Sequence, residues 1–521
     1  MTTVLPDELS ARAPYIAAIA LALLLTALYK YSTYTNIPRI KQLPEIPGAL
    51  PFAGHLHLLG GALGACDATV WSNWFQRFNW PIFQLRYGNE RVVIVNKHAD
   101  IKELWVSNSA ALISRPVPYT MNKYVGLAMG ACPWTEGCKR QRQSAIKSVA
   151  PGTWQTYYPL LKKTSASAIE DMRKHGQNGA VALEPRKYLA RVAISLGFEL
   201  AYGKKLEDVG GVDFLHGFLD AAGKITDIRV GSSNWVDYIP FPRLLPSSTV
   251  KRAQMGAAER QPYLDALFHS MKADLEQGRD VNCIGAALLV DRGSKMTEED
   301  TKSTCVSMLQ GSSETISGTL TCGLGSLCAD ADGLRLQDEA YEKIMERWGT
   351  PEEAFEHAFE CEDIPLIVAI YKEMLRYYCV IPYCLPRLAT KDVKLKSGAT
   401  IPAGTTLYMN AEYGNHDPEF YGSDAYTFNP LRFLDKSSPV SSSPLPHFSY
   451  GAGARICPAA QISNRILYGL VIRLIVSFRI QTAPEAPPLT DPIKFNQNYV
   501  SLVAKPKVYL AYCIPRDATA S

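Results

Sequence analysis

The chain has 521 residues, 47% of them hydrophobic, and a formal net charge of +4. That length permits one large, mainly helical enzyme, and so small a charge gives no electrostatic footprint for nucleic acid. Twelve cysteines are scattered with no C-x-x-C spacing, which argues against structural zinc and, at this size, for reduced buried thiols rather than a disulfide framework.

Residues 1–12 are polar and mixed in charge, and Ala13 to Tyr29 then carries no charged side chain. At about 1.5 Å per residue this run reaches about 25 Å, the short end for a membrane span. Lys30, Arg39 and Lys41 follow, so the positive-inside tendency puts the rest of the chain in the cytosol. The apolar run is long and no clear small-x-small site precedes Lys30, which argues against a cleaved signal peptide. Residues 1–36 are therefore expected to anchor the chain in lipid. Pro38, Pro44, Pro47 and Pro51 cannot continue a helix, and 37–52 reads as a stiff hinge before a single domain over 53–521.

Ile82 to Tyr87, Gly88-Asn89 and Val92 to Val95 read as a β-hairpin, and residues 98–107 as a helix. Arg115 to Met129, with two prolines, several glycines and Tyr119, Met121, Tyr124 and Met129, reads by itself only as a loop. Residues 150–300 show helical periodicity broken by Pro- and Gly-containing loops, without repeats or charge blocks.

Thr301 to Leu327 predicts one long helix containing Gly311-Ser312-Ser313-Glu314-Thr315-Ile316. Gly311 removes a side chain so that a ligand can approach the backbone. Thr315, one turn on, can bond back to the carbonyl of Gly311 and open the helix locally. Ile367 to Tyr378 is also helical, and Glu373 and Arg376 share one face there at ion-pairing distance. Lys394 to Thr406 reads as a hairpin and Tyr499 to Tyr512 as strands. Between them, His447 to Ala459 is a glycine-rich loop that runs into Cys457 and Pro458 and then into an apolar helix from Ile462 to Leu474. Pro458 suits the first helical position, which would put Cys457 at a helix N-terminus that favours a thiolate. Gly451 and Gly453 allow positive φ and close approach to something flat, and Arg455 adds a cation for an anionic group. A stabilised thiolate in such a loop is what haem-thiolate ligation needs.

The loop resembles the haem signature of the cytochrome P-450 monooxygenases, aromatic-G-x-G-x-R-x-C-x-G, with Tyr450 where Phe is usual and Ala459 where Gly is usual. Gly311 to Ile316 resembles that family's oxygen-activation motif, with Ser312 and Ile316 as departures. Glu373-x-x-Arg376 and Phe428-Asn429-Pro430-Leu431-Arg432-Phe433 resemble two further family motifs, and Pro133 to Arg142 a W-x-x-x-R pattern with Cys138 in the Trp position.

The resemblance implies a mainly helical haem domain with a smaller β part, behind an N-terminal transmembrane helix. It implies haem b with Cys457 as axial ligand, and Arg455, Arg387, Arg142, Tyr450, Gly451 and Gly453 around the cofactor. Thr315 and Glu314 would deliver protons, and Glu373, Arg376 and Arg432 would form a structural triad. Tyr119, Tyr124, Gly311, Tyr383 and Leu502 would line the substrate pocket, the tyrosine rings packing on a flat substrate and their hydroxyls bonding a phenol. Dioxygen and electrons from NADPH through NADPH-cytochrome P-450 reductase would complete the reaction at the endoplasmic reticulum. The signature loop, Pro133 to Arg140 and Gly414-Asn415-His416-Asp417-Pro418 look like fungal phenylacetate hydroxylases, and equally like the m-cresol and m-hydroxybenzyl alcohol hydroxylases of patulin synthesis. A small phenolic or arylacetic substrate in fungal secondary metabolism is therefore expected, with aromatic catabolism as the alternative. A haem-thiolate isomerase or dehydratase, which often lacks the helix Thr, is disfavoured by Thr315, and a haem sensor or carrier by Glu314-Thr315, because a carrier needs no proton relay.

Overall fold

In a computed structural model, residues 6–516 are described, apart from 210, 292 and 294. Helix α1 (Pro6–Thr33) opens the chain. Its stretch Ala13–Thr33 has a mean hydropathy of 1.7 and is exposed up to Tyr31, so it is long and apolar enough to cross a membrane.

The expected hinge is not a free spacer. Ile40, Leu43 and Ile46 are buried against the flank of the first sheet. The proline-interrupted backbone finds its partners there: Gln84 accepts from the Ile40 N–H at 2.9 Å and donates to the Ile40 and Leu43 carbonyls at 2.9 and 2.6 Å. Arg86 reaches back further and donates to the Ser32 carbonyl at 3.1 Å. Burial of three aliphatic side chains, with the backbone served by a buried amide, makes 37–52 part of the globule.

Strands β1 (Ile82–Tyr87) and β2 (Glu90–Val95) form the expected hairpin, with Leu85 opposite Val92. Gly88 turns it at φ +54°, where a Cβ would lie 2.3 Å from the Tyr238 carbonyl oxygen, so only glycine fits. β3 (Arg387–Leu388) and β6 (Thr406–Met409) complete this four-stranded sheet in the order β1-β2-β6-β3, β6 running parallel to β2. β4 (Val393–Lys394) and β5 (Thr400–Ile401) make the small hairpin expected between them. β7 (Phe478–Thr482) and β8 (Ala511–Pro515) pair at the end of the chain. Only the last part of the expected 499–512 strand region is therefore a strand. Residues 499–510 lace between elements instead: Ala504 donates to the Val380 carbonyl at 2.8 Å and Lys507 to Phe495 at 2.8 Å.

The helices carry the rest of the fold. α2 (Glu136–Ser148) buries Cys138, Arg142 and Ala145 on one face. α3 (Pro185–Tyr202), α4 (Gly211–Thr226) and α5 (Ser248–Glu276) form one flank, α4 packed along α5. α6 (Glu298–Ser313) and α7 (Thr315–Cys328) replace the single helix expected over 301–327. Every residue from Ile316 to Cys328 is buried, so α7 is the axis of the domain. α8 (Pro365–Tyr377) and α9 (Ala460–Ser477) pack beside it in the largest core cluster, through Met374, Leu375, Ile466, Leu470 and Leu474. All twelve cysteines are free thiols, nine of them buried.

The docking of Ser32 and Asn36 predicts where truncation becomes harmful. Deleting residues 1–30 is expected to leave thermal stability unchanged. Deleting 1–36 also removes the Ser32 carbonyl that Arg86 uses and the Asn36 side chain that accepts from the Arg91 N–H at 2.9 Å. Two such bonds amount to about 2 kcal/mol, read as a lower midpoint in thermal or denaturant unfolding of the second truncation alone.

Candidate active site

The signature loop is held from several sides. Phe448 is fully buried, and its N–H donates to the Asn415 side chain at 2.7 Å. Gly451 and Gly453 both take positive φ, +71° and +66°. At Gly453 a Cβ would lie 1.7 Å from the Trp105 carbonyl oxygen, whereas at Gly451 it would meet open space. Gly451 thus presents bare backbone to a cavity of about 270 Å³. Cys457 lines the same cavity, and its N–H donates to the Tyr450 carbonyl at 2.9 Å. The helix behind it begins at Ala460, so Pro458 precedes the first turn and is not its first residue. Burial pushes the Cys457 thiol up, while the Ala459 N–H and Arg142 pull it down. The Tyr450 hydroxyl donates to Asn464 at 2.8 Å.

Four arginines line this cavity: Arg115, Arg142, Arg387 and Arg455. All are buried, at 3 to 7% exposure, and none has an ion-pair partner among the described residues. They hold the loop and its neighbours by donating to carbonyls: Arg387 to Ala452 at 3.0 Å, Arg142 to Ile456 at 2.8 Å, Arg455 to Cys132 at 3.0 Å and Arg115 to Leu385 at 2.8 Å. Even so, Arg387 keeps Nε and Nη1 without a partner, and Arg115 and Arg455 keep Nε. Burial, then repulsion from Arg387, Arg455 and Arg142, pushes Arg115 well below its ordinary value. Burial and Arg455 bring Arg387 down to about 9. Buried cations with orphaned donors and no counter-charge fit a dianionic guest.

The opposite wall is built from the junction of α6 and α7. Thr315 Oγ1 donates to the Gly311 carbonyl at 2.5 Å, and the helix breaks at Glu314, with φ −108° and ψ −25°. Ser312 and Ser313 bond back in the same way, to Leu309 and Gln310, which loosens this turn further. Gly311 and Thr315 face both the Cys457 cavity and a second one of about 440 Å³. Glu314 lines the second cavity and pairs with Lys505 at 3.3 Å.

Glu373 and Arg376 are fully buried and meet in a two-pronged bond, both arms at 2.7 Å. Arg432 donates to Glu373 at 3.3 Å and pairs with Asp424 at 3.0 Å. Arg376 spends its remaining donors on the carbonyls of Asn415, Ala425 and Thr427.

Some expected pocket residues are elsewhere. Tyr119 and Tyr124 lie edge to face on an outer surface, where Lys123 donates to the Tyr119 hydroxyl at 3.0 Å and the Arg243 guanidinium stacks 4.3 Å from the Tyr119 ring. Cations available outside draw these rings out, and neither lines a described cavity. Tyr383 is buried against Trp71 in a side recess, while Gly311 and Leu502 do line the large cavity. Arg115 was not among the expected cofactor residues; the one arginine of its loop, directly before Pro116, was the available sign.

The Cys457 thiol faces a cavity whose four arginines lack an ion-pair partner among the described residues, which suits haem: Cys457 would hold the iron and the arginines the two propionates. The class is haem-thiolate. Comparison with known families agrees: the cytochrome P-450 model matches residues 44–511, and the chain belongs to that family, as a monooxygenase whose haem iron is ligated by a cysteine thiolate. It is 35% identical to a phenylacetate 2-hydroxylase of Emericella nidulans, covering 96% of this chain and 95% of that protein. It is 30% identical to a 3-hydroxyphenylacetate 6-hydroxylase of the same fungus, covering 90% and 88%. A geraniol 8-hydroxylase of Catharanthus roseus is 23% identical over 89% and 92%.

Glu373→Gln leaves two buried guanidiniums facing a neutral amide. A loss of about 3–5 kcal/mol is expected, together with poor haem incorporation, because the cysteine loop hangs on the same network. Thermal unfolding and the haem-to-protein absorbance ratio measure both.

Proposed function

We propose that this monooxygenase hydroxylates a small arylacetic acid, with dioxygen and two electrons from NADPH through NADPH-cytochrome P-450 reductase. The balance is one C–H bond converted to C–OH, one water released and one NADPH oxidised. Haem, when bound, supplies dioxygen reduction and oxygen insertion.

The protein's own residues do the rest. Cys457 would hold the iron as a thiolate, a ligand that supplies electron density to it. Thr315 carries the reading, because it is shared by the cofactor cavity and the larger cavity beside it. Its hydroxyl stands where a proton must pass, donating to a carbonyl that the broken helix has freed. Glu314, on the larger cavity and paired with Lys505, is the group from which that proton can be replenished. Val380, Ile381, Leu385 and Leu502 supply the apolar walls that exclude water and pack an aromatic ring. An isomerase or a carrier has no use for this relay.

The arylacetic class is supported by the names of the two fungal relatives. The apolar helix at Ala13–Thr33 supports a single-pass anchor, with the catalytic domain in the cytosol at the endoplasmic reticulum membrane. Fungal secondary metabolism of the patulin type would use a phenol or benzyl alcohol rather than an arylacetate, so product analysis separates the two.

Thr315→Ala is expected to retain haem and substrate binding while NADPH oxidation yields hydrogen peroxide in place of product. The hydroxylated yield per NADPH should fall about 10-fold or more, within the range that positioned proton transfer contributes. The substrate reading is tested by incubating the enzyme and a fungal reductase with phenylacetate, 3-hydroxyphenylacetate, m-cresol and m-hydroxybenzyl alcohol. Ring hydroxylation of the two acids is expected. Turnover of the phenol and alcohol alone would move the enzyme to patulin-type chemistry, and turnover of only bulky terpenoids would exclude the aromatic class.

A further inference from the structure

The larger cavity extends from Gly311 and Thr315 to the end of α4, and a recess of about 60 Å³ opens beside it. Arg229, three residues beyond α4, lines both. Its backbone N–H donates to the Thr226 carbonyl at 3.3 Å. Its guanidinium makes no hydrogen bond or ion pair with any described residue. Burial pushes Arg229 below its ordinary value.

The neighbours add donors. Tyr383 is buried on the recess with its hydroxyl unpartnered. Arg260, on the larger cavity, leaves its Nε without a partner and spends one Nη2 bond on the Val125 carbonyl at 3.5 Å. Two of the recess carboxyls are already occupied. Asp67 accepts from the Gly60 N–H at 3.0 Å and from the Ser232 N–H at 3.3 Å. Asp237 accepts from Thr120 at 2.7 and 2.9 Å and from Asn234 at 2.8 Å. Burial holds Asp67 and Asp237 near about 6, and a third recess carboxyl, Glu90, near about 7. None of the three pairs with Arg229.

A half-buried guanidinium that faces a cavity without a counter-charge gains when an anion arrives there. We infer that Arg229, with the Tyr383 hydroxyl as second donor, binds the carboxylate of the substrate and so turns its ring toward Thr315. The inference rests on the arylacetic acid reading. It makes Arg229 a specificity-determining residue: a guanidinium takes a carboxylate in two parallel bonds and gains nothing comparable from a neutral ester. Arg260 adds positive potential without touching the ligand.

The test is equilibrium dialysis of phenylacetate, methyl phenylacetate and octanoate against the haem-loaded wild type, Arg229→Gln and Arg229→Lys. Wild type should prefer phenylacetate. Arg229→Gln should lose about 10- to 100-fold in affinity for the acid, the range of a charged hydrogen bond, and bind the ester unchanged. Arg229→Lys should fall between. Removing a half-buried cation that has no partner should also leave the unfolding midpoint equal or higher, whereas a merely structural arginine would lower it. Equal losses for acid and ester, or undiminished acid binding, would overturn the assignment even if phenylacetate is hydroxylated. Arg229-dependent binding of octanoate, with no aryl acid bound by wild type, would support the carboxylate site and overturn the arylacetic reading.

Discussion

The buried carboxylate of Glu373 is the charge on which the cysteine loop depends. It accepts both arms of Arg376, one bond from Arg432 and the Asn429 N–H at 2.7 Å. Arg376 then holds the Asn415 carbonyl, while the Asn415 side chain holds the Phe448 N–H and accompanies Ser449. Three links thus join a helix core to the loop that ends in Cys457. A buried ion pair contributes little net stability over apolar packing. What it contributes here is register: each guanidinium arm has a named carbonyl, so the chain between 415 and 432 has one way to lie.

That register matters because the cavity above the loop is electrostatically unfinished. Arg115, Arg142, Arg387 and Arg455 repel one another in a buried space, and only backbone carbonyls answer them. The repulsion is tolerable because the glycine-shaped floor and the cysteine admit a flat, dianionic cofactor. On the other side, the break at Glu314 is a local failure of the helix made by side chains that bond backward. Both features store an unmet demand, one for negative charge and one for a hydrogen-bond partner, at the place where the chemistry occurs.

The sequence was most informative where short-range chemistry decides structure. The hairpin at 82–95, the paired Glu373 and Arg376 and the positive φ at Gly451 and Gly453 depend on residues a few positions apart. The backward bond from Thr315 to Gly311 is of the same kind. What was not legible depends on partners far along the chain. Tyr119 turns outward under Arg243, and Tyr124 packs edge to face beside it. Residues 37–52 are docked because Gln84 and Arg86 offer donors and acceptors across the sheet edge. Arg115 joins a cluster drawn from four separate segments. None of these pairings has a spacing that a reader of one chain could recognise.

The two sets of unpaired guanidiniums lie in adjoining cavities that share the Gly311 and Thr315 wall. A carboxylate ligand entering an empty chain would meet both, and the four-arginine set is the stronger attractor. Filling by haem would remove that competition, because propionates held by the inner cluster would neutralise it. Two arginines on the larger cavity would then still lack an anion, Arg229 and Arg260, and of these Arg229 also lines the recess with Tyr383. On the proposed reading, cofactor loading would do more than supply iron: it would decide which cation a substrate acid can find, and so make the outer site selective only in the assembled enzyme.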